Sequence, residues 1–353
     1  SAAVPVHGAV AGDLYLVGGG DPLLRTPEYV ANLHYPTQAY DNFNALADRV
    51  RAAGVTAVAG SVVGDESRYD TQRYVPTWPS RYMTNAEIGP LSALSVDDGF
   101  AAPAPGAPAA QPARQAAATF TALLQARGIS VAGPPGAGKA PAGAVTIADL
   151  ASAPLNTVAG EILRRSDNNG AELLTKELGR QSNPATPTTA AGVAAIQAAL
   201  RADGLPLDGL HMADGSGLDR SDRATCQLIL AALLRSGPTG AIGQGLAIAG
   251  KTGTLFQRFV ATPATGRLRA KTGSLEGASA LSGFVLPPAA AASAPGASAA
   301  AANPATGNGL AFSLILNGVP SLAAGDALCD RIGLLLAQFP QAPPLAALAP
   351  LPA

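Results

Sequence analysis

Two tripeptides, far apart in the chain, carry groups that can transfer protons and hold a carboxylate. Residues 166–168 read Ser-Asp-Asn and supply a hydroxyl and an amide, while residues 271–273 read Lys-Thr-Gly and supply an ammonium and a second hydroxyl. The Lys271 cation and the Thr272 hydroxyl can together bind a carboxylate through charge-assisted hydrogen bonds. Each tripeptide alone is a weak signal, because Ser166 could simply cap a helix and Lys271 could be a solvated residue at a strand end.

The segments that flank the two tripeptides strengthen the case for a site. Apolar spacing predicts helices at 156–165 and 171–178, on either side of the first tripeptide. The second tripeptide leads into Ser274 and the apolar segment 278–286. Together they predict strand structure within 267–286, with a strand that begins at Lys271. Residues 310–317 form a further apolar strand pattern that can pair with it in antiparallel fashion.

A second Lys-Thr-Gly stands earlier in the chain, at residues 251–253. The six residues after it, 254–259, lack the alternation of a strand at the centre of a sheet. This difference favours Lys271 over Lys251 as the lysine of the site.

The sequence contains four lysines, and none belongs to an S-x-x-K pattern, in which a serine stands three residues before the lysine. The residues at that position are Gly136, Leu173, Ile248 and Leu268. A serine nucleophile paired in this way with a lysine base is therefore absent from the chain.

The other elements predict an α+β chain whose composition changes after about residue 150. Strands are predicted at 12–17, 56–63, 91–98 and 144–150, with helices at 41–53 and 113–127. Helices dominate the second part, and are predicted at 188–203, 221–235 and 324–338. Residues 287–308 are rich in Ala, Pro, Ser and Gly and predict a flexible insertion, and the Pro-rich end after 339 predicts a loose tail.

The composition of the 353 residues excludes several classes of function. Net charge is −1 and charged residues make up 13%, so no field directs the chain to nucleic acid or anionic lipid. No metal-ligand spacing, no G-x-G-x-x-G cofactor loop and no apolar run near the ~18 residues of a membrane span occur. We therefore expect no metal, no cofactor and no transmembrane segment. Cys226 and Cys329 could form one disulfide or remain two buried thiols.

The chain resembles the low-molecular-mass class C penicillin-binding proteins, which act as D-alanyl-D-alanine carboxypeptidases and endopeptidases. The resemblance lies in residues 12–22, 91–99, 166–168, 214–218 and 269–275. It implies an α+β fold with a penicillin-binding, transpeptidase-like (β-lactamase-like) catalytic domain, built from an antiparallel sheet with helices. The implied boundaries are an inserted, smaller α+β domain at 1–150, the catalytic domain at 151–340 and a tail at 341–353.

The resemblance also implies a mechanism, in which a serine attacks the bond between two terminal D-alanines of a peptidoglycan stem peptide and forms an acyl-enzyme. β-Lactam antibiotics would mimic the dipeptide and trap that intermediate. Ser166 would relay protons, and the backbone N–H of Ser274 would help to stabilise the oxyanion. The residues implied as catalytic are Ser166, Asn168 and Lys271, and those implied to bind substrate are Asp167, Thr272, Gly273 and Ser274.

The resemblance places the S-x-x-K segment before Ser1, so we expect a chain truncated at its N-terminus and located outside the cytoplasm. Such a chain should fold poorly and be inactive alone, since the missing helix would leave a large apolar gap. The main alternative is a non-catalytic homologue that binds peptidoglycan. A serine β-lactamase is disfavoured by the inserted domain, and a Ser-His-Asp hydrolase built on Ser216 is disfavoured because no G-x-S-x-G elbow occurs.

Overall fold

The computed structural model describes residues 5–35, 38–101, 106–288, 309–339 and 341. Its contacts divide the chain into two compact units. Unit 1 comprises Ser1–Pro154, Asn168–Ala199 and Met212–Asp222, and unit 2 comprises Leu155–Asp167, Leu200–His211 and Arg223–Ala353. The predicted division into domains at residue 150 stays a prediction.

The helices, in chain order, are α1 Pro27–Ala31, α2 Phe43–Ala52, α3 Arg81–Thr84, α4 Pro112–Gln125, α5 Leu155–Arg165, α6 Asn168–Ser182, α7 Thr189–Ala202, α8 Cys226–Ser236, α9 Ala241–Gly245 and α10 Leu322–Leu336. The strands are β1 Ala9–Val10, β2 Leu14–Val17, β3 Leu24–Arg25, β4 Asp41–Asn42, β5 Ala57–Val58, β6 Val62–Asp65, β7 Ser130–Val131, β8 Gly136–Ala137, β9 Ala247–Ile248, β10 Leu268–Leu275, β11 Ala278–Val285 and β12 Leu310–Asn317. Short 3-10 turns occupy Asp97–Gly99 and Gly253–Leu255.

Unit 1 is built on short parallel sheets, with the orders β1-β5-β7, β2-β6-β8 and β3-β4. Helices α2 and α4 bury their apolar stripes in one core with these strands, and the rings of Phe43 and Phe120 meet at 5.4 Å between centroids. Because each strand has only two to four residues, side-chain bonds to the backbone fix much of the path of this unit.

Unit 2 contains an antiparallel sheet in the order β12-β11-β10-β9. Alternate residues of the sheet face opposite sides. Leu281 and Val285 of β11 share a core with Cys329 of α10, whereas Phe284 shares a core with Leu233 of α8. Lys271 is paired across the sheet with Ser282, two residues before Phe284, so it stands on the α8 side.

Several predicted elements differ from those observed, and each difference has a local cause. Residues 91–98 are not a strand, because Asp97 and Asp98 adopt positive φ angles of 55° and 56°. The buried Asp97 carboxylate accepts bonds from the Thr26 N–H, at 2.7 Å, and from its hydroxyl. The predicted strand at 56–63 is broken, because the Asp13 carboxylate accepts a bond from Ser61 N–H at 2.8 Å.

Three further predictions are corrected. Residues 144–150 form no strand. The helix predicted to begin at 221 begins at Cys226, after Thr225 caps it by accepting the N–H of Leu228. The β10 strand begins three residues before Lys271, not at it, and the turn at Gly277 separates it from β11. The antiparallel pairing of 310–317 is confirmed. The predicted flexible insertion falls mostly outside the described residues, as does nearly all of the predicted tail.

Candidate active site

Ser166 occupies a strained position at the end of α5. Its φ is 59°, in the left-handed region, and the N–H of Asp167 donates to the carbonyl of Ile162 at 3.1 Å. A bond that closes six residues, with a left-handed residue just before its donor, defines a Schellman C-cap. Glycine is the usual residue at the left-handed position. A serine here costs roughly 1–2 kcal/mol relative to the relaxed backbone. The hydrogen bond that this hydroxyl accepts from Lys271 offsets part of that cost.

Lys271 reaches that hydroxyl from β10. Its Nζ donates to Ser166 Oγ at 2.6 Å and to the backbone carbonyl of Thr272 at 2.7 Å. Among the described residues Lys271 forms no ion pair with a carboxylate. Burial therefore acts unopposed and lowers the pKa of Lys271 from 10.5 to about 8. A cation held without a counter-ion is suited to receive an anionic group.

One edge of β10 beside Lys271 is open. The pairing with β11 runs from Leu268 to Leu275, whereas the pairing with β9 covers only Arg269 and Ala270. In the described part of the chain, residues 271–275 thus have a strand neighbour on one side only. The Leu286 N–H donates to the carbonyl of Arg267, the residue just before β10. In an antiparallel ladder every second residue bonds to the partner strand, so Arg269, Lys271 and Gly273 bond toward β11 and the residues between them point their backbone groups the other way. By that alternation Thr272 and Ser274 direct their backbone groups to the open edge.

The side chains after Lys271 have distinct surroundings. Thr272 is buried, and its hydroxyl donates to the hydroxyl of Thr254 at 2.9 Å. Gly273 lies opposite Ala280, and a Cβ at Gly273 would stand 3.2 Å from the Ala280 Cβ. Ser274 is exposed, and its hydroxyl lies 3.4 Å from a carboxylate oxygen of Asp326. This stretch offers main-chain groups with little side-chain obstruction.

The predicted site residues fall in both units. Ser166 and Lys271 meet in unit 2, as do Thr272, Gly273 and Ser274 through their shared strand. Asp167 is half-buried at the last position of its segment of unit 2.

Asn168 opens α6 in unit 1, where its Nδ2 donates to the carbonyl of Glu87 at 2.8 Å. Because an amide nitrogen carries two protons, one of them remains for another acceptor.

Gly253 and Thr254 were missed as neighbours of the site, since the first Lys-Thr-Gly was weighed only as a rival for the second. Lys251 is exposed, but Gly253 packs on the carbonyl of Arg164 and Thr254 bonds to Thr272. The repeated Lys-Thr-Gly was the signal that could have found them.

Other features of the described residues bear on cofactors and location. The part of the chain that the structure describes has no cluster of three or more His, Cys, Asp or Glu residues arranged to hold a metal ion. None of its helices combines the length and the apolar character that crossing a membrane requires. Both cysteines are free thiols, so the structure shows no disulfide between them, and only Cys329 of the two is buried, whereas Cys226 is exposed.

The fold is that of the penicillin-binding proteins. A solved structure of penicillin-binding protein 4 (dacB) from Haemophilus influenzae matches with a TM-score of 0.68 over 89% of this chain and 78% of that chain, at 20% identity. The class of fold expected from the sequence, α+β with an antiparallel sheet and helices, is therefore confirmed.

The chain belongs to the D-Ala-D-Ala carboxypeptidase 3 (S13) family, whose model matches residues 2–110 and 106–338. It is 28% identical to a D-alanyl-D-alanine carboxypeptidase of Actinomadura sp. over 93% of this chain and 69% of that protein. It is 32% identical to carboxypeptidase DacB of Mycolicibacterium smegmatis over 78% of this chain. The chain thus spans 69% of the first relative's length and 60% of the second's.

Proposed function

We propose that this chain carries the Ser166–Lys271 part of a serine acyl-transfer site that releases the terminal D-alanine from peptidoglycan stem peptides. The observation that carries the proposal is the 2.6 Å bond between Lys271 Nζ and Ser166 Oγ, beside the open edge of β10. The family and the two relatives named as carboxypeptidases support this choice of reaction.

Each group at the site has a proposed task. Lys271, kept free of a carboxylate partner, binds the terminal carboxylate of the substrate, and Thr272 adds a hydroxyl donor. The substrate backbone pairs with the open edge of β10 as an added strand, and Gly273 lets it approach closely. The Ser274 N–H, which faces that edge, donates to the oxyanion that forms on the attacked carbonyl.

Proton transfer and orientation fall to the first tripeptide. Lys271 donates to Ser166 Oγ, which leaves the Ser166 proton free to pass to the leaving amine. Asn168 uses its remaining amide proton to hold the substrate amide, and Asp167 lines the same substrate site. The nucleophile itself belongs to an S-x-x-K segment outside residues 1–353, because no lysine here has a serine three residues before it.

The proposed substrate also implies where the protein acts, a second activity and a class of inhibitor. A stem peptide of the cell wall is reached outside the cytoplasm, and cleavage of a cross-link would add endopeptidase activity. β-Lactams would acylate the same nucleophile, since they present a carboxylate and a strained amide in a similar geometry. The proposal involves neither a metal nor nucleic acid.

A fluorescent penicillin tests this function. We expect covalent labelling of the protein that includes the S-x-x-K segment, and none of residues 1–353 alone. Lys271→Ala in the longer protein should slow labelling by about 10²-fold or more, the usual scale for a group in the proton-transfer path. Lys251→Ala is the matched control and should change the rate less than about twofold, because Lys251 is exposed.

The outcomes separate the alternatives. Equal loss from both lysine substitutions, or loss from Lys251→Ala alone, contradicts the assignment of Lys271. A longer protein that binds stem peptides but is never acylated is a peptidoglycan-binding homologue without catalysis.

A further inference from the structure

The turn formed by the first Lys-Thr-Gly copy contacts both the helix and the strand of the proposed site. A Cβ at Gly253 would stand 2.1 Å from the carbonyl oxygen of Arg164, two residues before Ser166. The next residue, Thr254, is 2.9 Å from the hydroxyl of Thr272. One short turn therefore meets the end of α5 and the middle of β10.

This turn is tied to the sheet. The N–H groups of Lys251 and Thr252 both donate to the carbonyl of Ile248 at 3.0 Å. The hydroxyl of Thr252 in return accepts the N–H of Ile248 at 3.0 Å. Ile248 belongs to β9 and pairs with Arg269 of β10. The position of Thr254 relative to Thr272 is thus set by backbone bonds and not by a mobile side chain.

The hydroxyl pair has two arrangements with different consequences. A threonine hydroxyl has one proton to donate and can also accept. In the structure Thr272 donates to Thr254, so its proton is engaged. If Thr254 donates instead, the proton of Thr272 is released toward another acceptor and its oxygen remains satisfied. Thr272 is only 8% exposed, so water competes poorly for these bonds.

We propose that Thr254 is a positioning residue that makes Thr272 a donor to the substrate carboxylate. When a carboxylate accepts the Thr272 proton, both hydroxyls rotate and Thr254 donates to Thr272 in place of accepting from it. No bond other than a hydrogen bond is made or broken. This inference rests on the proposed function, since it assumes that the Lys271 strand binds a carboxylate.

The first experiment replaces the hydroxyl without changing the shape of the side chain. Thr254→Val and Thr254→Ser are compared in the protein that includes the S-x-x-K segment, with an acyl-D-Ala-D-Ala peptide and its C-terminal amide as substrates. We expect Thr254→Val to lower kcat/KM for the free carboxylate about tenfold, mostly through KM, as for a weakened bond to a charged group. The amide should change less than about twofold, and Thr254→Ser should restore the loss.

The results test the role of Thr254 separately from the proposed function. Equal losses for the two substrates would mean a merely structural role and would overturn the inference. No loss in Thr254→Val, together with strong losses in Thr272→Val and Lys271→Ala, would overturn it and leave the proposed function intact. If none of the three substitutions affects acylation, the proposed function itself fails.

A second experiment measures the other contact of the turn without using activity. Gly253 and Gly237 both have positive φ angles, 54° and 68°, but a Cβ at Gly237 meets nothing within 4 Å. We expect Gly253→Ala to speed hydrogen exchange of the Asp167 amide, which closes the end of α5, by more than about tenfold. Gly237→Ala also places a side chain at a positive φ and should not affect that amide. Equal effects of the two substitutions would contradict a contact specific to α5.

Discussion

One site in each unit holds ionisable groups, and the two sites differ in the charge that they hold. In unit 2 regular elements hold a cation: a strand carries Lys271, and the end of a helix presents the hydroxyl that it meets. In unit 1 loops hold acids. The Glu172 Oε1 atom accepts the N–H groups of Gly215 and Ser216 at 2.9 and 2.7 Å. Asp214 accepts the indole N–H of Trp78 at 2.7 Å.

Burial is the largest cause of the pKa shift in both units, but the direction depends on the charge. Desolvation disfavours the ionised form, so it lowers the pKa of Lys271 to about 8 and raises the pKa of Glu172 to about 7. Burial also raises the pKa of Asp222 to about 7. Burial therefore favours the protonated forms of Glu172 and Asp222 near neutral pH, and it favours loss of the proton from Lys271.

The largest expected effect concerns Ser166, whose backbone is strained and whose hydroxyl is the proposed proton relay. In the proposed protein with an S-x-x-K segment, Ser166→Gly and Ser166→Ala should both slow acylation by penicillin by about 10²-fold, since each removes the hydroxyl proposed as the proton relay. Their stabilities should differ: the glycine variant should exceed the alanine variant by about 1 kcal/mol in free energy of unfolding, because only glycine relaxes at φ 59°. Urea unfolding and labelling rates measure the two effects. Equal stabilities would show that the left-handed cap carries no strain.

Glu172 should make the stability of unit 1 depend on pH. Its pKa is above its ordinary value of 4.5 in the folded state, so the native chain holds a proton that the unfolded chain releases between about pH 4.5 and 7. The free energy of unfolding should fall across that window as pH rises, by on the order of 3 kcal/mol for this group. Glu172→Gln should flatten the profile.

Unfolding in urea at several pH values measures this slope. Glu28→Gln, at an exposed position in α1, is the matched control and should leave it unchanged. A Glu172→Gln variant with the original slope would assign the pH dependence to other acids, such as Asp222.

Lys271 should give an effect of the opposite sign, and at most of similar size. Its folded pKa is below 10.5, so stability gained from deprotonation appears as pH rises from about 8 to 10.5. Binding should change in the other direction, since the neutral amine no longer attracts a carboxylate. We expect KM for a free carboxylate to rise up to about tenfold between pH 7.5 and 9. The C-terminal amide of the same substrate should show no such rise, and a parallel rise would exclude Lys271 as the carboxylate-binding group.

The smallest effect should come from the cysteines. Because both thiols are free and Cys329 is buried, a thiol reagent should titrate one group in the native chain and two after denaturation. Reductant should change the free energy of unfolding by less than about 0.5 kcal/mol. A disulfide found by mass spectrometry would require a different packing of α10.

The sequence predicted unit 2 better than unit 1, and the reason is physical. The periodicity of 156–165 and 310–317 predicts elements long enough for regular backbone bonding to dominate. At 91–98 the alternation of apolar residues predicted a strand, but the buried carboxylate of Asp97 and two left-handed residues decide the path. Such long-range bonds from a side chain to the backbone leave no periodic signal.

The same contrast holds within the site. The roles of Lys271 and Ser166 were implied by the family resemblance and stay a prediction, while the structure places Lys271 Nζ 2.6 Å from Ser166 Oγ. The left-handed backbone of Ser166 could not be predicted, because a serine gives no local sign of a positive φ. The role of Thr254 was hidden for a related reason: its partner Thr272 is distant in the chain, and only the folded sheet brings the two hydroxyls together.

The half-paired strand also determines how a substitution could weaken a bound ligand. A ligand that pairs with the open edge of β10 takes its hydrogen bonds from the peptide groups of Thr272 and Ser274, which nineteen of the twenty amino acids would supply equally. Proline alone removes the N–H. Replacing the Lys271 side chain would therefore weaken a ligand anchored on its ammonium, whereas weakening one anchored on the strand edge would require a proline or a shift in register.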